Sequence, residues 1–185
     1  MKLLRQLTRQ RLWQIRRAKP LVQQVQVFVA LGANLGDPVA TVKAAIDALA
    51  ALPGTRLIAA SSLYRTAPVG LKHQPDFINA VAQLEVNSAV LPAPTFLQQL
   101  FDIESRFGRA RSGPNAPRTL DLDLLLFGET ISADPLLSLP HPRLHQRAFV
   151  LAPLAELAPD LVIPERGSVR ALLTNCADQR IDVVC

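Results

Sequence analysis

Val25-Gln26-Val27-Phe28-Val29-Ala30-Leu31 runs directly into Gly32-Ala33-Asn34-Leu35-Gly36 and then into Asp37-Pro38. The first seven residues are rich in β-branched and apolar side chains, as a buried strand requires. The glycine-bounded pentapeptide is a turn, Asp37 has the short acceptor side chain favoured at a helix N-cap, and proline fits the first helical turn. Val42, Ala45, Ile46 and Leu49 recur at three- and four-residue spacing, which predicts a helix with one buried face reaching about Leu52, where Pro53-Gly54 ends it.

Downstream, Arg56 to Thr66 and Phe77 to Val86 are β-like and are separated by the proline-containing loop Ala67 to Asp76. A second helix is predicted from about Thr95 to Phe107, a strand over Leu120 to Phe127, and helices over Arg147 to Leu157 and Ser168 to Asn175. Strands in near pairs with helices between them predict an α+β fold, an antiparallel sheet with helices packed on it. At 185 residues, 49% of them hydrophobic, the chain fits one core, assigned to residues 25–185. Upstream of the first strand, Lys2, Arg5, Arg9, Arg11, Arg16, Arg17 and Lys19 precede the first acidic residue, Asp37. The positive excess behind the formal charge of +5 therefore lies in residues 1–24, a basic extension expected to be solvated and disordered or weakly helical, and the rest is close to neutral. A transit peptide and translated upstream sequence are the other readings of that leader.

No uninterrupted apolar run approaches the ~20 residues that cross a bilayer, and no secretory cleavage pattern follows the start. Cys176 and Cys185 lack metal-ligand spacing and form no disulfide framework, which suits a reducing, cytoplasmic compartment.

The chemistry concentrates in Pro117-Arg118-Thr119-Leu120-Asp121-Leu122-Asp123-Leu124. Side chains alternate along a strand, so Asp121 and Asp123 share one face while Leu120, Leu122 and Leu124 take the other. Two carboxylates side by side repel and call for a cation; oxygen ligands beside a phosphate suit Mg²⁺. Taken alone, Asp-x-Asp reads rather as a solvated strand face paired to arginines. Its surroundings are cationic. Arg109, Arg111 and Arg118 bracket the Ser112-Gly113-Pro114-Asn115 loop, where guanidinium forks can bind phosphate oxygens or complement a helix C-terminus. His141 and Arg147, in the proline-stiffened stretch Pro140 to Phe149, are candidates to meet a triphosphate, whereas His145 reads as a surface histidine. Thr66-Ala67-Pro68-Val69-Gly70 precedes Phe77 and Asn79, which fall on one strand face and offer a flat heterocycle an aromatic surface beside an amide. Gly32 to Gly36 matches neither the Walker A pattern nor the dinucleotide fingerprint.

Ala30 to Asp37, Tyr64 to Asn79, Ile103-Glu104 with Gly108-Arg109, Pro117 to Asp123 and Pro140 to Leu151 together resemble, in order and spacing over Val25 to Pro164, the hydroxymethyldihydropterin pyrophosphokinases. The resemblance implies an elaborated ferredoxin-like fold, ATP as pyrophosphoryl donor, two Mg²⁺ ions, hydroxymethyldihydropterin as acceptor in folate biosynthesis, and a product passed to dihydropteroate synthase. It implies that Asp121 and Asp123 hold the metals and that Arg109, Arg111 and Arg118 bear on the phosphates, with Glu104, His141 and Arg147 lining the ATP site. It also implies that Asn34, Thr66, Val69, Gly70 and Asn79 hold the pterin edge, with Phe77 and Phe149 sandwiching its ring. In this picture the acceptor oxygen attacks the β-phosphorus and AMP leaves.

The chain departs from the family at Phe77, Phe101, Asn115 and Leu136, where members often carry Tyr, Gln, Trp and Arg. Two other activities compete: a ferredoxin-like nucleic-acid-binding module, which the missing RNP aromatics disfavour, and a kinase moving only the γ-phosphoryl group. A monomer without nucleic-acid or membrane partners is expected.

Overall fold

The computed structural model describes residues 23–68, 74–109 and 116–184; the expectations for the basic extension up to residue 22 lie outside them. Strand β1 (Gln24–Ala33) passes through a turn into helix α1 (Pro38–Ala50), and Asp37 caps it by accepting the Ala40 N–H at 3.0 Å. Strands β2 (Thr55–Ala60), β3 (Tyr64–Thr66) and β4 (Phe77–Asn87) precede helix α2 (Ala93–Arg106) and strand β5 (Asp121–Phe127). A hairpin, β6 (Ser132–Asp134) with β7 (Leu137–Leu139), leads to a 3₁₀ turn at Leu144–Gln146 and helix α3 (Ala148–Leu157). The two-residue strands β8 (Val162–Ile163) and β9 (Gly167–Ser168), helix α4 (Val169–Thr174) and strand β10 (Ile181–Val183) complete the described chain.

The main sheet is six-stranded and antiparallel, ordered β10-β3-β4-β1-β5, with β2 also pairing β4. What the sequence presents as one strand, Arg56 to Thr66, is two, because Ser61 leaves the ladder. Its N–H still reaches the Val81 carbonyl at 3.0 Å, but its hydroxyl, not its carbonyl, accepts the Val81 N–H, also at 3.0 Å. Strands β2 and β3 then share opposite ends of the long β4.

Alternation along the strands builds a core on each side of the sheet. Val27, Val29 and Leu31 of β1, Ile78, Ala80, Ala82 and Leu84 of β4, and Leu122 and Leu124 of β5 pack with Val42, Ala45 and Leu49 of α1 and Phe96, Leu100 and Ile103 of α2. Opposite them, Phe28, Val81, Leu125 and Leu126 pack with Ala148, Val150, Leu151 and Leu154 of α3 and with Val169 of α4. This is the helix-covered antiparallel sheet of an α+β, ferredoxin-like fold.

Strand β5 contributes to both cores by alternation and also carries a bulge. Val29 faces Leu124 and Phe28 faces Leu126, so Leu125 is one residue in excess. Leu125 is on the aspartates' side by alternation, and the bulge brings Leu126 to that side as well, so both join the second core. Helix α3 is tied to the start of β3 by Glu156, which accepts from the Ser62 N–H and hydroxyl and from the Tyr64 phenol at 2.8 Å. Burial and this carboxylate push the Tyr64 phenol up to about 12. No helix among the described residues is long and apolar enough to cross a membrane.

Candidate active site

Helices α3 and α4 bury the apolar part of the second sheet face, and the remaining part is polar. Cross-strand register sets its layout. Tyr64, Asn79, Gly32 and Asp121 are successive partners across β3, β4, β1 and β5, so their α-carbons form a row and their side chains point to one side. Thr66 and Phe77 lie one pleat to one side of that row; Ala30 and Asp123 lie one pleat to the other.

Gly32 is the low point between amide and carboxylate. A β-carbon there would stand 3.2 Å from Asn79 Oδ1, closer than side chains normally approach. The Asn79 amide is buried and donates to Thr66 Oγ1 at 2.8 Å, which fixes which end of it lies over Gly32. Phe77, half-buried, has the Arg118 guanidinium 5.9 Å from its ring centre.

At the Asp121 end, three elements converge. Helix α2 closes in a Schellman turn, with Gly108 at φ 74°, its N–H on Ser105 O and the Arg109 N–H returning to Glu104 O, both at 3.1 Å. Glycine suits the left-handed position, and the reversal lays Arg109 back beside Glu104 and β5. Arg109 Nη1 contacts Glu104 Oε1 and stands 2.6 Å from Asp121 Oδ1, while Arg118 Nη1 contacts Asp121 Oδ2. Glu104, only 2% exposed, also accepts the Leu122 N–H at 2.7 Å, between the two aspartates of β5. Burial raises its pKa, against the opposing pull of the Leu122 N–H and Arg109. Glu104 thus lies under the arginine–aspartate cluster.

Asp123 is looser. Arg147 Nη1 is 3.5 Å and His141 Nε2 3.8 Å from its Oδ2, within ion-pair reach but beyond hydrogen bonding. The His141 N–H donates to Leu125 O at the bulge (2.9 Å) and its Nδ1 accepts the Arg143 N–H (3.3 Å), which turns Nε2 towards Asp123. Burial lowers the His141 pKa, and Arg147 and Arg143 push the same way against Asp123. Burial likewise draws Arg147 down from its usual value, and its guanidinium lies 5.4 Å from the centre of the Phe149 ring.

Asn34 shows what the sequence could not. Its Oδ1 accepts the Arg118 N–H at 2.9 Å, its Nδ2 donates to Gln74 Oε1 (3.0 Å) and Pro75 O (3.1 Å), and its N–H donates to Arg118 O. The buried amide staples the turn after β1 to the segment before β5 and to the loop before Phe77. The partners lie 84, 40 and 41 residues away in sequence, where no local pattern marks them. The structure therefore brings together Asn34, Thr66, Phe77, Asn79, Glu104, Arg109, Arg118, Asp121, Asp123, His141, Arg147 and Phe149. Val69, Gly70, Arg111 and Asn115 lie outside the described residues.

Two carboxylates on one strand face, ringed by Arg109, Arg118, Arg147 and His141, can hold a divalent cation and the anionic oxygens that accompany it. Among the described residues no third His, Cys, Asp or Glu completes a closed metal cage. Such a donor set fits a cation whose remaining ligands come from water and substrate phosphates, the usual arrangement for Mg²⁺. The amide and rings of Asn79, Phe77 and Phe149 offer a second, less charged subsite next to it.

A family model described as 7,8-dihydro-6-hydroxymethylpterin-pyrophosphokinase (HPPK) matches residues 28–159. The 2-amino-4-hydroxy-6-hydroxymethyldihydropteridine pyrophosphokinase of Pseudomonas aeruginosa is 47% identical over 157 residues, covering 85% of this chain and 95% of its own. Its namesake from Haemophilus influenzae is 40% identical over 157 residues, covering 85% and 96%. In fold, the chain is similar to the crystal structure of a Plasmodium falciparum HPPK-DHPS triple mutant with pteroate, at a TM-score of 0.66 and 14% identity, over 86% of this chain and 44% of that one. The α+β sheet, the aspartate-bearing strand within the matched span and the extent of sequence identity lead to one conclusion: this chain belongs to the 7,8-dihydro-6-hydroxymethylpterin-pyrophosphokinase family.

Proposed function

We propose that the face carrying Asp121 and Asp123 is where this chain performs the reaction of its family, pyrophosphoryl transfer from ATP to hydroxymethyldihydropterin in folate synthesis. One observation carries the assignment of the site: a carboxylate pair ringed by guanidinium groups shares a sheet face with an amide and two aromatic rings, so a triphosphate and a flat heterocycle can lie side by side. Asp121 and Asp123 would hold Mg²⁺, which when bound neutralises phosphate charge and polarises the phosphoryl group. Arg109 and Arg118, released from Asp121 as the phosphates enter, would pair with phosphate oxygens in two-point geometry. Arg147 and His141, beside Asp123, would meet the same polyphosphate, with Arg111 approaching from the loop.

On the other side, the Asn79 amide, oriented by Thr66, would hydrogen-bond the edge of the pterin, and Phe77 and Phe149 would hold its ring between them. Val69 and Gly70 would contribute backbone contacts from the loop after β3. Asn34 would act on both subsites at once through its staple to Arg118 and the Gln74-Pro75 loop. This pose sets the hydroxymethyl oxygen against the β-phosphorus, so catalysis rests on alignment and charge stabilisation with no covalent enzyme intermediate. The enzyme would work as a monomer in the cytoplasm, its product handed to dihydropteroate synthase; a solved relative that joins HPPK to DHPS supports that link.

The decisive experiment is product analysis. Purified protein with ATP, Mg²⁺ and hydroxymethyldihydropterin should release AMP in step with a pterin diphosphate. ADP as the nucleotide product would instead identify a γ-phosphoryl kinase and overturn the reading.

The close approach at Gly32 yields a second expectation. In Gly32→Ala the new methyl group must push the Asn79 amide aside by a few tenths of an ångström, because Oδ1 lies only 3.2 Å from the added carbon. KM for the pterin should rise on the order of 10-fold while KM for ATP and the unfolding temperature hold, since small displacements at a positioned group cost rate and binding steeply. An unchanged pterin KM would remove Asn79 from the acceptor site.

A further inference from the structure

We propose that Gln179 is a positioning residue for the Arg147 guanidinium, acting through the two peptide groups on either side of it. The inference rests on the placement of Arg147 in the ATP site proposed above.

Arg147 is the N-cap of α3, with extended backbone at φ −125° and ψ 108° and no side-chain cap bond. N-caps are ordinarily Ser, Thr, Asp or Asn, whose oxygen accepts one of the first free helical N–H groups. A guanidinium has only donors and cannot do this. Here the acceptor comes from outside the helix: Gln179 Oε1 receives the Ala148 N–H at 2.9 Å. Gln179 Nε2 donates to Gln146 O, also at 2.9 Å. A single planar amide therefore grips the peptide before Arg147 and the peptide after it. Those two planes set φ and ψ at Arg147 and so the direction of its Cα–Cβ bond. From there the side chain reaches 3.5 Å from Asp123 and lies over Phe149. Delegating the cap to Gln179 leaves the N-cap residue free to be a cation facing the site.

Gln179 is itself held in place. Its N–H donates to Cys176 O at 3.0 Å, and Cys176 is buried in the second core. Two residues further on, Ile181 pairs with Thr66 in the β10–β3 ladder. The gripping amide thus sits on a segment anchored in the core on one side and on a site-bearing strand on the other. It lies beyond residues 28–159, the span matched by the family model.

The test is a double-mutant cycle of the full chain: Gln179→Ala, Arg147→Ala and the two combined, each assayed for kcat, KM for ATP and thermal unfolding. Gln179→Ala should lower kcat/KM on the order of 10-fold, the scale expected when a contact group shifts by a fraction of an ångström. In the Arg147→Ala background it should cost nothing more, because the group it positions is gone. Any loss in unfolding temperature should be the same in both backgrounds. Gln179→Glu keeps the acceptor for Ala148 but loses the donor to Gln146, and should fall between wild type and alanine; it replaces alanine in the cycle if that variant fails to fold. An equal loss of kcat/KM in both backgrounds, or none in either, would overturn the inference while leaving Arg147 in the site. Wild-type turnover by Arg147→Ala would overturn the placement of Arg147 and the inference together.

Discussion

Asp121→Ala and Asp123→Ala are each expected to lower AMP production by at least about 100-fold, and to differ sharply in what they do to the fold. The common loss follows from alignment. With one of two carboxylates gone, the phosphates are no longer fixed relative to the acceptor oxygen, and a misplacement of ~1 Å costs on the order of 100-fold in rate. The difference follows from partners. Asp121 is engaged by Arg109 and Arg118 on separate oxygens, and its removal leaves two half-buried cations with fewer counter-charges, costing about 1–3 kcal/mol. Among the described residues the ion-pair contacts of Asp123 are 3.5 and 3.8 Å long, so its loss should leave the unfolding temperature nearly unchanged. Asp160→Ala is the control: that side chain is 92% exposed, 3.6 Å from Arg170, and far from the site in sequence and role. Turnover against Mg²⁺ and thermal unfolding, measured on each variant, decide the matter. Near-normal turnover in either site variant would reduce the pair to a solvated strand face.

Glu104→Ala should be the most damaging single change to the fold around the site. The carboxylate is buried, and its removal strips Arg109 of one partner and leaves the Leu122 N–H without an acceptor in the interior. Breaking a buried pair by deleting one member costs about 3–5 kcal/mol, mostly from the groups left behind. For a domain of this size that is roughly 10 °C in unfolding temperature. Glu104→Gln separates the two causes. Its carbonyl oxygen can still accept from Leu122, so it should keep most of the stability while loosening Arg109 and weakening ATP binding. If alanine and glutamine are equally unstable, the charge on Arg109 dominates; if alanine unfolds like wild type, the contact with Leu122 does not hold β5 in place.

Much of this architecture is legible in the chain because it is local. Asp37 and Pro38 mark the start of α1, and the spacing of Val42, Ala45 and Leu49 marks its buried side, all within one turn or two of each other. Asp121 and Asp123 can be assigned to one face from alternation alone, and the structure places them so. The sequence does not reveal that Asp121 sits between two arginines, and without them the pair reads as mutual repulsion that deletion would relieve. The arginines reverse that expectation for Asp121. The break at Ser61 is hidden because a hydroxyl stands in for a backbone partner, and no period records such a substitution. Strands as short as β8, β9 and β10 are too brief to show alternation. Asn34, marked only by the resemblance, and Gln179 have partners 84 and 33 residues away, and the contacts of both stay hidden until the chain is folded.

The bulge at Leu125 has a consequence for heredity. Codon changes that exchange one apolar residue for another between Leu122 and Phe127 alter volume and leave the faces as they are. Losing the Leu125 codon would only remove the excess residue, because Leu126 could still face Phe28 and Phe127 still face Val27 in an unbroken ladder; losing the Leu122 codon would instead make Asp121 and Asp123 neighbours in the chain and send them to opposite faces of the strand. Leu125, whose side chain does no chemistry, is the excess residue through which Leu125 and Leu126 both reach the side of the sheet that carries the aspartates. Over these seven positions selection should therefore forgive spelling throughout and length only at the bulge.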